Sequence, residues 1–229
     1  MAEAGFRQLR FAPPPGSTQV ILVRHGESAP LVRDTPFPLL DGHGDPPLSE
    51  LGRWQADKVG ERLAAEPIST IYVSTLARTH ETAAPLAKRL ALDPVVEPDL
   101  REVHLGEWEG GIYRQRAAEG HPAFRKMQRE ERWDAIPGGE SNESLTTRTV
   151  AVIERIHAQH PDESVAVVVH GGVIGAILAH AARSRPFAFM GADNGSVHHL
   201  VLTAERWLVR RYNDTGHLGD LSAAPAPPV

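Results

Sequence analysis

Two histidines stand where apolar strands end. Val20-Ile21-Leu22-Val23 leads into Arg24-His25-Gly26-Glu27, and Val165–Val169 leads into His170-Gly171-Gly172. Placed in one parallel sheet, both imidazoles would emerge at the carboxyl edge of the strands, where open α/β sheets bind ligands. A neutral imidazole is a nucleophile near neutral pH, because its ordinary pKa is about 6.5. One ring nitrogen attacks, and the other should donate to a backbone carbonyl that fixes the tautomer. His25 beside the permanent charge of Arg24, facing His170, suits attack on phosphorus. Phosphoryl transfer is largely positioning plus stabilisation of charge on the equatorial oxygens, so a second guanidinium should come from another strand-to-helix turn. Ile71-Tyr72-Val73 ends at Ser74, read as the cap of a helix whose first turn carries Arg78; that helix end adds a favourable dipole for an anion. His170 is assigned a hydrogen bond to a transferring oxygen, with Gly171 and Gly172 allowing close backbone approach to phosphate. The leaving alkoxide needs an acid, and Leu100 to Gly110 offers Glu102, Glu107 and Glu109.

In this order the strings resemble the histidine phosphatase (phosphoglycerate mutase-like) superfamily. Arg24-His25-Gly26-Glu27 is similar to its signature. STLARTHETA from Ser74 resembles its Ser-x-x-x-Arg-Thr motif, and LREVHLGEWEG from Leu100 resembles its L-x-E-x-x-x-G-x-x-x-G segment. The resemblance runs from about Gln19 to Leu218, where Asp214-Thr215-Gly216-His217-Leu218 looks like the closing segment of many members. It implies a phosphohistidine on His25, Glu102 as the proton donor with Glu107 and Glu109 on the surface, and Asn194 in a loop touching phosphate. Members commonly carry an Asn a few residues after the first motif. Here that place is Pro30-Leu31, and the loop through Asp41-Gly42-His43-Gly44-Asp45 is longer than usual, with His43 expected to contribute a contact.

The implied activity is a cofactor-independent phosphatase acting on small phosphomonoesters. The alternatives are a phosphoglycerate mutase with the same phosphohistidine chemistry and a catalytically weak binding or scaffold protein. The full set of catalytic residue types argues against the scaffold. Family mutases use a long insertion after the Glu-bearing segment, whereas Gly110 to Ser141 is modest here. Its Arg114, Arg116, Arg125, Lys126, Arg129 and Arg132, interleaved with Glu119, Glu130 and Glu131, read as a solvated helix face.

These residues need a scaffold to position them. Strands are expected at Gln19–Val23, Thr70–Val73, Pro94–Glu97, Ser164–Val169, Val197–Thr203 and Trp207–Tyr212. Helices are expected from a Ser49 cap to about Ala65, from a Ser74 cap to about Leu90, over Asn142–His160 and over Gly172–Ala182, with a less regular one over Tyr113–Arg132. The alternation predicts a three-layer α/β/α fold, phosphoglycerate mutase-like, with a mostly parallel central sheet. A late hairpin near Ala204-Glu205 predicts an antiparallel edge strand, and Asp34–Pro47 reads as a loop.

The chain has 229 residues, 41% hydrophobic, and carries a formal charge of -5. That is one domain's worth of core. Residues 18–218 are expected to form one catalytic domain, with a flexible leader at 1–17 and a flexible Pro-rich tail at 219–229. The acidic balance speaks against nucleic acid or an anionic membrane as partner. There is no cysteine, hence no disulfide or thiol nucleophile. His198-His199 alternate along a strand, so at most one faces inward, and no ligand spacing such as H-E-x-x-H occurs, so no metal is expected. Without an apolar leader or a membrane-length run the expected place is the cytoplasm. The expected partner is a small phosphorylated substrate; oligomeric state stays open, a dimer included.

Overall fold

The computed structural model describes residues 7–32 and 35–219. The expected tail from 220 onward therefore lies outside the described residues. Strand β1 spans Thr18–Arg24. A small hairpin follows, β2 (Leu39–Leu40) and β3 (His43–Gly44), inside the stretch read as loop. Next come α1 (Glu50–Leu63), β4 (Ile68–Val73), α2 (Ala77–Leu90) and β5 (Val95–Val96). They are followed by α3 (Ile112–Ala118), α4 (Pro122–Glu130), α5 (Asn142–Gln159), β6 (Ser164–Val169) and α6 (Gly171–Ala182). The fold closes with β7 (Val197–Leu202) and β8 (Trp207–Asp214).

The main sheet runs β5-β4-β6-β1-β7-β8. Its first four strands are parallel, while β7 pairs antiparallel with β1 and β8 with β7. Strands β7 and β8 are the expected late hairpin, which forms the antiparallel edge of the sheet. Alternation along β1 divides the core. Ile21 and Val23 pack with Val59 and Leu63 of α1 and Leu86 of α2 on one face. Val20 and Leu22 pack with Ile153 of α5 and Ile177 of α6 on the other. Strand β6 is buried along its whole length, which explains its unbroken apolar run Val165–Val169.

Two local expectations are corrected. The helix read over Tyr113–Arg132 is broken at Gly120-His121-Pro122: Gly120 takes φ +59°, and Pro122 starts α4 with His121 accepting from the Ala123 N–H at 3.2 Å. Proline suits a first helical position but not an interior one. Ser74 does not cap α2 either. The N-cap is Leu76, without a side-chain cap bond, while Ser74 Oγ accepts the Leu76 N–H at 3.2 Å and is directed elsewhere. Ser49 does cap α1, accepting from the Gly52 N–H at 3.0 Å.

One contact ties α1 to the segment after His25. Ser49 N–H donates to the Glu27 carbonyl at 2.9 Å, Ser49 Oγ donates to the Glu27 carboxylate at 2.8 Å, and Gln55 Oε1 accepts the Glu27 N–H at 2.8 Å. A Cβ on Gly52 would fall inside the Glu27 carbonyl, and one on Gly26 would fall inside the Gly52 carbonyl. Backbone here meets backbone, so neither side can yield by a rotamer change. Gly52→Ala should lower stability by about 1–3 kcal/mol through overpacking, seen as a lower urea midpoint at unchanged slope. An unchanged midpoint would mean that α1 shifts freely against the Glu27 turn.

Candidate active site

Strand register assembles the site. Arg24 on β1 is level with Val169 on β6, and the His25 N–H donates to the Val169 carbonyl at 2.9 Å. The next residue of each strand is therefore a histidine. The His25 and His170 rings meet edge to face with centroids 5.1 Å apart, both buried. His25 Nδ1 lies 2.7 Å from the Gly26 carbonyl oxygen. A carbonyl can only accept, so Nδ1 carries the proton and Nε2 presents a lone pair. The Arg78 Nε–H donates to that Nε2 at 3.3 Å. Burial pushes the His25 pKa well below 6.5, and the Arg78 and Arg24 charges push it further. His170 is driven down by burial, then by Arg78 and His25. Its Nε2 lies 2.9 Å from Ser74 Oγ, while its Nδ1 is buried with no hydrogen-bond partner among the described residues.

Arg78 is the second residue of α2, as its place after β4 implied. Its Nη1 donates to the Gly44 carbonyl at 2.9 Å and lies 3.8 Å from the Asp45 carboxylate, which also accepts the Ala77 N–H at 2.8 Å. The β2–β3 hairpin is thus fastened to the base of the site. Arg24 donates through Nη1 to the Ala192 carbonyl, and its Nε is buried without a partner among the described residues. The loop before β7 wraps this end of β1: Gly195 N–H reaches the Arg24 carbonyl at 3.1 Å, and Asn194 Nδ2 donates to the His25 carbonyl at 3.0 Å. Asn194 lines the cavity while holding the backbone of His25. Behind it, buried His198 accepts the Asn213 N–H on Nδ1 at 3.1 Å and faces Ser196 Oγ with Nε2 at 3.0 Å. Burial, then Arg24, lowers its pKa to about 4. His199, its neighbour, is only partly buried.

Glu102 reaches the same cavity. Its Oε1 accepts the Gly172 N–H at 3.0 Å and the Val103 N–H at 2.9 Å. A Cβ on Gly172 would lie 2.6 Å from that Oε1, whereas one on Gly171 would only touch the Arg24 guanidinium at 3.5 Å. The close approach that the glycine pair permits is therefore, at Gly172, to a carboxylate. Arg148 on α5 holds the Glu102 segment from behind. It donates to the carbonyls of Asp99, Arg101 and Glu102 at 2.6, 2.7 and 3.0 Å and pairs with Glu140 at 2.8 Å. Nothing in local spacing pointed to Arg148, because its partners lie 46 or more positions away, except Glu140 at i−8.

Two expectations about the rim are corrected. Glu107 is exposed, but Glu109 faces the cavity, where its carboxylate accepts the Gly44 N–H at 2.7 Å and the Leu105 N–H at 2.8 Å. Two unpaired backbone donors draw it inward. Arg114 remains exposed but leaves the row of helix-face ion pairs. Its guanidinium turns back over the residues after His25, donating to Ser28 Oγ at 2.6 Å and to the Ala29 carbonyl at 2.7 Å. The expectation holds for its neighbours, with Arg116–Glu119 at 3.4 Å, Arg129–Glu130 at 3.5 Å and Arg132–Asp134 at 2.8 Å at the surface. His43 lies on the cavity wall, its Nδ1 3.3 Å from the Asp41 carbonyl and its ring edge-on to His104 at 5.0 Å.

The cavity has a volume of about 320 Å³. It is floored by Arg24, His25 and Arg78 and walled by Phe37, Leu105, Trp108 and Tyr113. A larger groove of about 570 Å³ lies between α5 and α6, lined by Leu145, Ala176, Phe187 and Met190, and holds neither His25 nor an arginine of the site. Two guanidiniums, Arg24 and Arg78, and two imidazoles whose pKa values are lowered by burial meet at the cavity floor, a surround that suits a dianion. Among the described residues no group of three or more His, Asp or Glu side chains is placed to hold a metal ion, and no helix is long and apolar enough to cross a membrane.

Comparison with known proteins agrees with this geometry. Residues 20–215 match the family model of the histidine phosphatase superfamily, branch 1. A phosphoglycerate mutase-like protein 4 of Arabidopsis thaliana is 36% identical over 207 residues, covering 87% of this chain and 86% of that protein. A metal-independent phosphoserine phosphatase of the same plant is 32% identical, covering 89% and 84%. Among solved structures, a mycobacterial glucosyl-3-phosphoglycerate phosphatase superposes with a TM-score of 0.73 at 30% identity, covering 87% of this chain and 100% of that one. With a histidine at each of two adjoining strand ends and arginines around them, the chain belongs to the histidine phosphatase superfamily, branch 1, and is a phosphoric monoester hydrolase of phosphoglycerate mutase-like fold.

Proposed function

We propose that this chain hydrolyses small-molecule phosphomonoesters through a phosphohistidine on His25, with Glu102 as general acid and then general base, in one catalytic domain spanning 18–218. The tautomer of His25 carries this reading. Nδ1–H is committed to the Gly26 carbonyl, and the Nε2 lone pair stands among Arg24, Arg78 and His170. In the first step Nε2 attacks phosphorus, the P–O ester bond breaks, and the protonated Glu102 carboxyl gives its proton to the departing alkoxide. In the second, water attacks the phosphohistidine, Glu102 takes the water proton, the P–N bond breaks, and phosphate leaves. Arg24, Arg78 and His170 neutralise the equatorial oxygens; His170 Nδ1 and Arg24 Nε, both without a partner among the described residues, fit that role. Hydrolysis is favoured over mutase activity by the surface pairing of Arg116, Arg129 and Arg132, which keeps these three cations from a second phosphate clamp and leaves Arg114, among the described residues, as the one cation of α3 and α4 on the cavity lining. The phosphatase names of two similar proteins support the same choice.

The decisive measurement feeds 3-phosphoglycerate with a trace of 2,3-bisphosphoglycerate and follows inorganic phosphate and 2-phosphoglycerate together. Phosphate should dominate, and labelled substrate should leave acid-labile, base-stable phosphate on the protein. In His25→Ala both the label and the turnover should vanish, a loss of at least about 10⁴-fold. Isomerisation outrunning phosphate release would promote the mutase.

Glu102→Gln should lose about 10²-fold or more on an alkyl phosphate, within the usual range for a general acid, and about tenfold or less on nitrophenyl phosphate, whose leaving group needs little protonation. Equal losses on both esters would remove Glu102 from the acid role.

The His25 and His170 shifts also predict a pH response. Both folded pKa values lie below 6.5, so both rings stay neutral as pH falls through about 6.5, while the unfolded chain gains protons there. In the free protein their imidazole carbon-bound proton resonances should show no titration midpoint at or above about pH 6.5, and folding stability should fall with pH below about 6.5. A His25 midpoint at or above 6.5 would contradict the neutral nucleophile.

A further inference from the structure

Arg148 makes every hydrogen bond that a guanidinium can offer. The group carries five N–H donors in a rigid fork, and here each has an acceptor. Nε and Nη2 meet the two Glu140 carboxylate oxygens at 2.8 and 2.9 Å. Nη1 donates to the carbonyls of Asp99 and Arg101 at 2.6 and 2.7 Å, and Nη2 donates to the Glu102 carbonyl at 3.0 Å. Glu140 grips the same segment further along: its carboxylate accepts the His104 N–H at 3.1 Å, and its own N–H donates to the His104 carbonyl at 2.8 Å. Residues 102–104 belong to no helix or strand, so the pair supplies backbone partners that secondary structure does not. The base of this clamp is firm. Arg148 stands between Leu145 and Thr149 of α5, both buried, and the Arg148 and Glu140 side chains are only 20% and 11% exposed. Burial alone would raise the Glu140 pKa, but Arg148 outweighs it and holds the carboxyl below its ordinary value, so the pair stays charged at neutral pH. Neither residue lines the catalytic cavity, so neither meets a substrate seated there.

The Glu102 carboxylate is held by two N–H groups: that of Val103 at 2.9 Å, on the clamped segment itself, and that of Gly172 at 3.0 Å, on α6. We propose that Arg148, paired with Glu140, is a positioning residue that sets where the Glu102 carboxyl stands relative to the His25 nucleophile, so that proton delivery to the leaving group depends on a guanidinium outside the cavity. The proposal rests on the reading of Glu102 as general acid. A misplacement of about 1 Å costs up to about 100-fold in rate, and a site group keeps its place only when supporting residues lock it. Arg148 also acts on His170 through its charge, behind burial, Arg78 and His25. Lysine would keep that charge but brings three donors and no fork, which separates charge from geometry.

The test compares an alkyl phosphate with nitrophenyl phosphate, because the poor leaving group depends on the acid. Arg148→Gln should lose roughly 10- to 100-fold in kcat/KM on the alkyl ester and about threefold or less on the nitrophenyl ester. Arg148→Lys should restore only a small part of the loss; full restoration would assign the effect to charge and overturn the proposal. In a Glu102→Gln background Arg148→Gln should cost a further factor of about two or less, since a residue acting through another has nothing left to act on. Losses alike on both esters, or the full loss repeated in the Glu102→Gln background, would reduce the pair to a brace for the fold. Amide hydrogen exchange reads the placement without turnover. In Arg148→Gln the Val103 and Gly172 amides, both bonded to the Glu102 carboxylate, should exchange about tenfold or more faster, while the His25 amide, bonded to Val169, keeps its rate. Unchanged rates at Val103 and Gly172, or a rise at all three, refute the assignment. If Arg148→Gln does not fold, Glu140→Gln, which leaves the three carbonyl bonds in place, should show the same pattern at smaller amplitude, and its absence refutes the assignment equally. A wild type that hydrolyses neither ester would overturn the phosphatase reading, and equal losses in Glu102→Gln the acid reading; the exchange rates would still decide whether Arg148 places Glu102.

Discussion

The pairing of β1 with β6 is the constraint on which everything else depends. Because Arg24 and Val169 are level and the His25 amide is committed to the Val169 carbonyl, the two histidines must leave the sheet side by side. A slip of one residue would turn His25 to the opposite face, into the layer packed by the wrong helices. Burial of β6 on both faces forbids that slip, since Val165, Val167 and Val169 fill one core and Ala166 and Val168 the other.

Around that pair the protein gathers Arg24 and Arg78 at the cavity floor, with Glu27, Glu102 and Glu109 also on the lining. Two buried guanidiniums, Arg24 and Arg78, would be costly without partners, and here each is met by carbonyls, from Ala192 and Gly44. Burial, then the neighbouring charges, lowers the pKa of both histidines, which favours neutral rings and limits the repulsion at the floor. The same repulsion leaves the floor complementary to a dianion. Asp45 lies 3.8 Å from Arg78, Asp45 and Glu102 are both held by backbone N–H groups, and Arg148 on α5 secures the Glu102 backbone.

The rim departs from the floor in origin. The floor comes from strand ends and the first turn of α2, whereas the rim comes from the β2–β3 hairpin, Glu109, Arg114 and Phe37. Glu109 ties the hairpin to the Glu102 segment, and Arg114 braces the turn after His25. The guanidinium of Arg114 lies over Ser28 and Ala29, just before Pro30-Leu31. Variation in substrate choice is therefore expected in the rim, on an unchanged floor.

Much of this was legible in the residue order. Apolar runs ending in histidine located β1 and β6, alternation of strands and helices implied the layered fold, and Arg78 followed from its place just after β4. These are local signals, since a strand's period and a helix's start are written within a few neighbouring residues. The sequence alone also determined that the nucleophile could not be a thiol. Tertiary structure decided the rest. Ser74 reads as a helix cap but serves His170, because only folding brings β4 beside β6. Glu109 reads as a surface charge but turns to the cavity, and the exposed Arg114 folds back over Ser28 and Ala29, because the backbone groups that bind them come from 65 and 85 positions away. Arg148 carried no signal at all. Hydrogen bonds between distant segments leave no periodicity in a chain, so the residues that shape the rim and hold the Glu102 segment became visible only once the sheet had assembled.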